Sequence, residues 1–143
     1  MKKTVQHIID DKGGDVWSID ADASVFNALE FMAEKNIGAV VVTHAGELVG
    51  IVSERDYARK IILMSRMSKE TPVADIMTAD PVTVHPSETV VNCMQTMTDS
   101  RFRHLPVVED GEMVGIISIG DVVRAVIDEQ RFLITQLESY ITG

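Results

Sequence analysis

Hydrophobic and polar positions along this chain change period in a fixed order, and that order occurs twice. Apolar residues at helical spacing after the N-cap candidate Ser24 predict a helix over residues 25–35. Two β-rich runs follow at residues 39–43 and 48–52, and a hairpin-type turn at residues 45–46 separates them. A short strand before the helix and a second helix after the hairpin complete a predicted β-α-β-β-α unit.

The second occurrence lies 65 positions further along the chain. With this offset residues 15–62 align with residues 80–127 without a gap, and 14 of the 48 pairs are identical. A repeat of this length predicts two copies of one supersecondary unit. In copy one the remaining predicted elements are a strand at 16–19 and a second helix at 54–67. In copy two they are a strand at 82–84 and a helix capped by Ser87 or Thr89. Strands at 105–108 and 113–117 around a turn at 110–111, and a helix at 120–141, complete copy two.

Each copy opens with a short apolar segment that predicts a helix. These segments, residues 5–9 and 71–77, are offset by 68 positions, so copy one carries three extra residues around Lys12. The predicted domain organisation is repeat 1 at residues 1–67, repeat 2 at residues 68–128 and a C-terminal helical extension at residues 129–143, which together form one pair.

Each copy ends its last strand with the same polar signature, Gly-hydrophobic-hydrophobic-Ser-x-x-Asp, which supplies Ser53 with Asp56 and Ser118 with Asp121. A serine hydroxyl at the start of a helix can face a phosphate together with free backbone N–H groups. An aspartate one turn later can accept hydrogen bonds from both hydroxyls of a ribose. The alternative is that the serines cap the helices and the aspartates complement the helix dipole.

The order of elements, this signature and the opening Val-x-Asp-Ile-Met of the second copy resemble tandem CBS domains, named after cystathionine β-synthase, over about residues 4–128. The resemblance implies a mixed α/β fold in which two repeats pack sheet against sheet about a pseudo-twofold axis. It implies clefts between the repeats that bind an adenosine-containing ligand (AMP, ADP, ATP or NAD), and a disc-like homodimer. No fused enzyme or channel segment is visible in the sequence, so the chain resembles a stand-alone pair.

The resemblance also implies which residues face the ligand phosphate. Basic residues at the positions of Arg103 and His104 reach the phosphate of the ligand held by Ser118 and Asp121. The alternative for Arg101 and Arg103 is that they are cations at a solvated helix end, and this is the better explanation for Arg101.

Copy one offers no charge at the equivalent positions, which are Gly38 and Ala39. It carries Arg55 inside its signature, where copy two has Gly120. We therefore expect the two clefts to bind differently.

The base of each ligand is implied to lie against the residues that lead into the first strand of the opposite repeat. These residues are 12–17, from Lys12 to Trp17, for the cleft of the second signature, and 78–82, from Thr78 to Val82, for the cleft of the first. The ring of Trp17 could stack on a base or pack within the protein.

Composition narrows the function classes. A net charge of −9 argues against nucleic acid and anionic membranes as partners. One cysteine, Cys93, excludes an internal disulfide, and its helical apolar surroundings favour a buried, inert thiol. The four histidines have no metal-ligand spacing, and no catalytic motif is present, so we expect no metal site and no enzyme. The absence of an apolar N-terminal core favours a cytoplasmic location.

The last helix continues well beyond its counterpart in copy one, with an apolar stripe over residues 126–141. Such a stripe needs cover from a second subunit or from the chain itself. Two function classes remain open. The first is a regulatory module that senses an adenosine ligand and acts on an unidentified partner protein; the second is a structural or adaptor dimer with empty clefts.

Overall fold

The computed structural model describes residues 2–63 and 66–142, and these form two compact units that do not follow chain order. Val16–Pro81 make up one unit, here called the central unit. Residues 2–15 and 82–142 make up the other, the terminal unit. The segment that opens the first sequence repeat therefore packs with the elements of the second.

Helices and strands alternate along the chain, which confirms the mixed α/β class. In chain order the elements are α1 (Val5–Lys12), β1 (Ser18–Asp20), α2 (Val25–Lys35), β2 (Ala39–His44), β3 (Glu47–Ser53), α3 (Glu54–Tyr57) continued by a π-helical turn (Ala58–Ile62), a 3₁₀ turn (Val73–Asp75), β4 (Thr78–Ala79), α4 (Val90–Ser100), β5 (His104–Glu109), β6 (Glu112–Ser118) and α5 (Ile119–Thr142). In the central unit the sheet order is β1-β2-β3-β4, with β1 parallel to β2, whereas β5 and β6 pair in the terminal unit.

The two β-hairpins have the same register at the offset of 65. Ala39 lies opposite Ser53 in β2–β3, and His104 lies opposite Ser118 in β5–β6. A register shift follows Val42 in the first hairpin and Val107 in the second. The repeated sequence thus specifies the backbone pairing down to its irregularity, and both predicted hairpins are confirmed.

The hairpin turns take the left-handed conformation that a two-residue connection favours. Ala45 and Gly46 have φ values of 51° and 81°, and Asp110 and Gly111 have values of 52° and 78°. Positive φ at both central positions is the requirement of a type I′ turn, whose twist matches that of the strands. The turns predicted at residues 45–46 and 110–111 are confirmed.

A hydroxyl side chain caps the helix that precedes the hairpin in each unit, α2 in the central unit and α4 in the terminal unit. Ser24 accepts the backbone N–H of Asn27 at 3.1 Å, and α2 has the predicted bounds. Of the two candidate caps in the second copy, Thr89 is the one that caps α4, because it accepts the N–H of Asn92 at 3.1 Å.

The predicted strand at residues 82–84 is reduced to one bridged residue. Val84 pairs with Val107 in parallel, through hydrogen bonds of 3.0 and 2.9 Å to the backbone of β5. Pro81 and Pro86 flank this segment, and neither has an N–H to extend the ladder. The strand predicted at residues 16–19 also shifts, to Ser18–Asp20.

The predicted helix at 54–67 begins as expected at Glu54, but only four residues are α-helical before the π-helical turn. Residues 64 and 65, inside the predicted range, lie outside the described residues. The helix predicted at 71–77 is shorter too, a 3₁₀ turn over Val73–Asp75.

Each unit has its own apolar core, which forms where the helix that precedes the hairpin packs against the hairpin. In the central unit the core residues include Val25, Ala28, Met32, Val40, Val42, Val52 and Ile76. In the terminal unit they include Val5, Val90, Cys93, Met97, Leu105, Val107, Ile117 and Val122. The hairpin in each unit is therefore anchored by burial, which holds its last residue and the following helix in place.

Candidate functional site

A serine and an aspartate join the last hairpin strand to the following helix in both units. Asp56 Oδ2 accepts the Ser53 N–H at 2.9 Å, and Ser53 Oγ accepts the Asp56 N–H at 3.2 Å. Asp121 Oδ2 and Ser118 Oγ repeat both bonds at 2.9 and 3.2 Å. This reciprocal arrangement is a capping box, so the capping role left open by the sequence is present in both units.

The aspartate side chains are largely covered, although they lie at the start of helices. The exposed fraction is 17% for Asp56 and 14% for Asp121. A carboxylate held in one orientation by a backbone N–H is a pre-positioned hydrogen-bond acceptor. We call the Ser53–Asp56 pair the central anchor and the Ser118–Asp121 pair the terminal anchor.

At the central anchor the carboxylate has mostly neutral partners. The Ser53 hydroxyl donates a second hydrogen bond to Asp56 Oδ2 at 3.1 Å. Lys60, one helical turn on, lies 3.7 Å from Asp56 Oδ1, beyond hydrogen-bonding distance, and donates to the Ile76 carbonyl at 2.9 Å. Lys60 was not among the residues predicted from the sequence.

At the terminal anchor an ammonium group sits on the carboxylate. Lys12 Nζ donates to Asp121 Oδ2 at 2.7 Å and to the Ile116 carbonyl at 3.0 Å, and Arg124 lies 3.8 Å from Asp121 Oδ1. Burial raises the pKa of Asp121, but the hydrogen bonds from Lys12 and from the Ser118 N–H outweigh it, so the pKa lies below its ordinary value.

Arg103 and His104, the predicted phosphate contacts, have backbones that lie beside the terminal anchor. His104 is paired with Ser118 across the hairpin, and the carbonyl of Arg103 accepts the Ile119 N–H at 2.8 Å. The register thus brings Arg103 and His104 next to the start of α5. The Arg103 side chain is exposed and His104 is half-buried.

The central anchor repeats this geometry with uncharged residues. Ala39 is paired with Ser53, and the carbonyl of Gly38 accepts the Glu54 N–H at 3.1 Å. A Cβ added to Gly38 would meet no atom within 4 Å, so there is open space at this position. Arg55 occupies an exposed position of α3 next to Asp56.

The residues predicted to face the base are divided between the units. Lys12 and the exposed Val82 belong to the terminal unit, and Lys12 contacts the anchor of that unit directly. Trp17 and Thr78 belong to the central unit, where Thr78 pairs with Ile51 through β4 and β3. Lys12 thus contacts the terminal anchor within its unit, and Thr78 lies beside the strand that ends at the central anchor. The contact of these residues with a base stays a prediction.

Trp17 precedes β1 and packs on the surface of α2. Its ring meets Phe31 edge-on at 6.1 Å, the ammonium of Lys35 lies 4.4 Å from its centroid, and 38% of the residue is exposed. The packing alternative is thus partly realised, with one side of the ring in contact with α2.

Asp20, Asp22 and His44 form a group whose potential ligand atoms lie within 4.8 Å of one another. Spacing along the chain did not indicate this group, because the parallel pairing of β1 with β2 brings the residues together. All three side chains are exposed, and exposed acidic groups commonly cluster without a cation. We assign no metal to them.

The thiol of Cys93 is fully buried in the core of the terminal unit. Burial raises its pKa to about 11, with a further contribution from the Glu88 carboxylate. A thiol with this pKa stays protonated near neutral pH, so it is a poor nucleophile.

No helix among the described residues is long and apolar enough to cross a membrane.

Three comparisons with known proteins bear on these anchors. A family model described as "CBS domain" matches the chain twice, at residues 6–63 and 73–128. The chain is 50% identical over 127 residues to "CBS domain-containing protein CBSX3, mitochondrial" of Arabidopsis thaliana; this match covers 85% of the chain and 62% of the relative. Several further Arabidopsis thaliana relatives match over 19% of their length.

Solved structures resemble the chain over most of its length. A protein with CBS domains from Burkholderia ambifaria is 45% identical, with a TM-score of 0.83, and the match covers 90% of this chain and 96% of that one. A hexameric CBS-CP12 protein from bloom-forming cyanobacteria is 28% identical, with a TM-score of 0.78, and the match covers 86% and 67% of the two chains.

Proposed function

The chain belongs to the CBS-domain family, as its motifs predicted, and from that premise we propose that it is a regulatory module that binds adenosine-containing ligands of the AMP, ADP, ATP or NAD class. Tandem CBS domains are a family of regulatory modules. The relatives are named for their CBS domains and not for a catalytic activity, and our proposal includes none.

The observation that carries this proposal is the pair of covered, oriented carboxylates. Asp56 and Asp121 stand at the same point of two hairpin–helix units, each fixed by a serine N–H at 2.9 Å. The capping box engages one oxygen of each carboxylate with the serine N–H, and the carboxylate has further acceptor capacity that suits the paired hydroxyls of a ribose. Beside the terminal anchor, Arg103 supplies a cation and His104 an imidazole for contact with a phosphate.

A panel of AMP, ADP, ATP and NAD, with GMP as the base control, tests the proposal by thermal shift and calorimetry. A ligand that binds the folded state raises the melting temperature with concentration. Asp56→Asn and Asp121→Asn keep an oxygen for the serine N–H but lose the charge, whereas alanine would also disrupt the cap. Each should weaken binding at its own anchor by about 2 kcal/mol, roughly 30-fold.

The double variant, Asp56→Asn with Asp121→Asn, should need about 30-fold more ligand to reach the thermal shift of the wild type. Binding of equal affinity in wild type and double variant would contradict ribose recognition by these aspartates. No shift with any of the four adenosine compounds would leave the adaptor function as the better account.

That second candidate, assembly through protein contacts, is favoured by the outer face of α5. Beyond Asp128 nearly all of this helix is exposed, and its apolar side chains continue to the end. The exposed apolar residues of α5 are Ile119, Val123, Ile127, Phe132, Leu133, Ile134, Leu137, Tyr140 and Ile141. An exposed apolar stripe of this length is a typical interaction surface. We propose that a second copy of this chain covers it.

The spacing of this stripe suits an antiparallel pair of α5 helices. Six exposed positions of α5 are spaced alternately by four and three residues, as in a coiled-coil seam. They are Val123, Ile127, Gln130, Ile134, Leu137 and Ile141. An antiparallel arrangement about a twofold axis opposes Val123 with Ile141, Ile127 with Leu137, and Gln130 with Ile134 of the second copy. It also brings Arg124, which is largely exposed, near Glu138 of the second copy, so that opposite charges flank both ends.

Light scattering on two matched variants tests this contact. Leu137→Asp places a charge in the seam and should shift the protein to monomers, as should truncation after Asp128. Ser139→Asp adds the same charge on the opposite face and should leave the oligomer unchanged. An unchanged oligomer in Leu137→Asp would contradict the α5 interface. The cyanobacterial relative is described as a hexamer, which supports assembly in this family.

The location of the protein stays a prediction. Composition favoured the cytoplasm, while the name of the Arabidopsis thaliana relative gives that protein a mitochondrial location.

A further inference from the structure

The ammonium of Lys12 lies 2.7 Å from the carboxylate of Asp121, whereas that of Lys60 lies 3.7 Å from the carboxylate of Asp56. Lys12 belongs to the three extra residues that only the first sequence copy carries. In the terminal unit it ends α1 and places its ammonium 2.7 Å from Asp121 Oδ2. An insertion outside the repeated signature therefore changes what the signature carboxylate binds.

The Lys12 ammonium is hydrogen-bonded to the carboxylate oxygen of Asp121 that a ribose hydroxyl would need. Asp121 Oδ2 already accepts the Ser118 N–H and the Lys12 ammonium, while Arg124 faces Oδ1 at 3.8 Å. Two ribose hydroxyls that bind both oxygens must take the place of Lys12. At the central anchor the corresponding partner of Asp56 Oδ2 is the hydroxyl of Ser53, a neutral donor at 3.1 Å, while Lys60 faces Oδ1 at 3.7 Å. Both bonds have an ionised acceptor, but only the Lys12 bond also joins two opposite full charges, and their Coulomb attraction makes it the stronger competitor.

We propose that Lys12 is an internal competitor for the ribose hydroxyls at Asp121, which makes the terminal anchor weaker than the central anchor for adenosine. This inference rests on the proposed nucleotide-binding function. A phosphorylated ligand brings an anion that can serve as the new partner of the displaced ammonium. The competition therefore penalises adenosine more than AMP, and Lys12 sets a preference for phosphorylated ligands at this anchor.

The position of Lys12 allows the displacement. It is the last residue of α1, and Gly13, which follows it with a φ of 90°, has a conformation that side chains disfavour. The Lys12 side chain is 38% exposed, so its ammonium can reach water without unfolding the helix. Asp121 stays in place when Lys12 leaves, because the Ser118 N–H holds it.

Calorimetry with adenosine and with AMP in an Asp56→Asn background isolates the terminal anchor. Lys12→Met should tighten adenosine binding at least tenfold and AMP binding less. Lys12→Gln is a second variant with the same expected direction, and circular dichroism verifies that each is folded. Lys69→Met is the matched control: Lys69 belongs to the central unit, where its ammonium lies 5.0 Å from the Phe26 ring centroid, and its removal should leave both affinities unchanged.

The outcomes separate this inference from the function on which it rests. If Asp121→Asn weakens binding in this background but Lys12→Met and Lys12→Gln leave adenosine affinity unchanged or lower, the competition is wrong and nucleotide binding stands. An equal gain for adenosine and AMP would overturn the phosphate preference. If neither the wild type nor any variant binds an adenosine compound, the proposed function fails and the inference fails with it.

Discussion

In the central unit Asp56 accepts hydrogen bonds from the backbone and hydroxyl of Ser53, whereas in the terminal unit Asp121 also accepts one from the ammonium of Lys12. The hairpin, its bulge and the capping box are the same in both because the repeated sequence encodes them locally. The charge environment differs because it comes from residues outside the repeated signature, Lys60 in one unit and Lys12 in the other. Duplicated geometry therefore does not imply duplicated binding strength.

The largest expected difference between the units is the loss of stability when alanine replaces Gly50 of β3 or its equivalent in β6, Gly115. A Cβ on Gly50 would lie 2.8 Å from the Thr78 carbonyl oxygen and 2.5 Å from the Met77 sulfur, whereas on Gly115 it would lie 2.5 Å from the end of the Ile9 side chain. Backbone cannot move aside as a side-chain end can. Gly50→Ala should destabilise by about 2–3 kcal/mol and Gly115→Ala by less than about 1.5 kcal/mol.

Urea denaturation of both variants measures this difference. Equal losses of unfolding free energy would show that the strand β4 and the end of α1 approach their hairpins with equal tolerance, which would weaken the contrast between the units.

Asparagine substitutions at the two anchors should differ in stability. Asp121→Asn loses the ion pair with Lys12, and because the Lys12 side chain is 38% exposed we expect a loss of about 1–2 kcal/mol. Asp56→Asn loses a cation at 3.7 Å and should cost less than about 1 kcal/mol. Thermal and urea unfolding of the two variants without ligand provide the comparison, and a larger loss for Asp56→Asn would contradict it.

The same ion pair should make stability depend on pH in the acid range. The pKa of Asp121 in the folded protein lies below its ordinary value, so the ionised carboxylate stabilises the fold above about pH 4. This contribution is lost as the pH falls through the folded pKa. The difference in unfolding free energy between wild type and Asp121→Asn should thus be constant near neutral pH and shrink as the pH falls below about 4 and through the folded pKa.

A difference that grew on acidification would contradict the lowered pKa. Lys12→Met provides the control, because without the ammonium the acid-dependent part should be smaller.

The smallest expected effect concerns the ends of the helices that precede the hairpins. Asn36 ends α2 with a φ of 55°, and Arg101 ends α4 at the equivalent position with a φ of 60°. Asparagine and glycine tolerate this left-handed conformation better than arginine does. Arg101→Gly should stabilise the protein by roughly 0.5–1 kcal/mol, measured as a higher urea midpoint, whereas Asn36→Arg should lower the midpoint.

The sequence predicted the hairpins, the bounds of α2 and the family, because these depend on local period, turn residues and a motif present twice. It missed the shortening of the strand at 82–84 to one bridged residue, which depends on the flanking prolines. The short α3 and its π-helical turn were also missed, since the apolar spacing after Glu54 fits a regular helix.

The sequence placed Lys12 near the second signature through the family resemblance, but not its contact with Asp121. That contact depends on how α1 packs beside β6, which no spacing along the chain encodes. The Lys60 bond to the Ile76 carbonyl was missed for the same reason. Ribose recognition by the two aspartates and phosphate contact by Arg103 and His104 stay predictions.

The most direct test of the inequality between the anchors is an NMR titration of the wild type with adenosine that follows the backbone amides of each anchor separately. The amides of Ser53 and Asp56 report the central anchor, and those of Ser118 and Asp121 report the terminal one. Competition by Lys12 predicts that the central amides saturate at an adenosine concentration about tenfold lower or more. Saturation of both sets at the same concentration, or of the terminal set first, would contradict it.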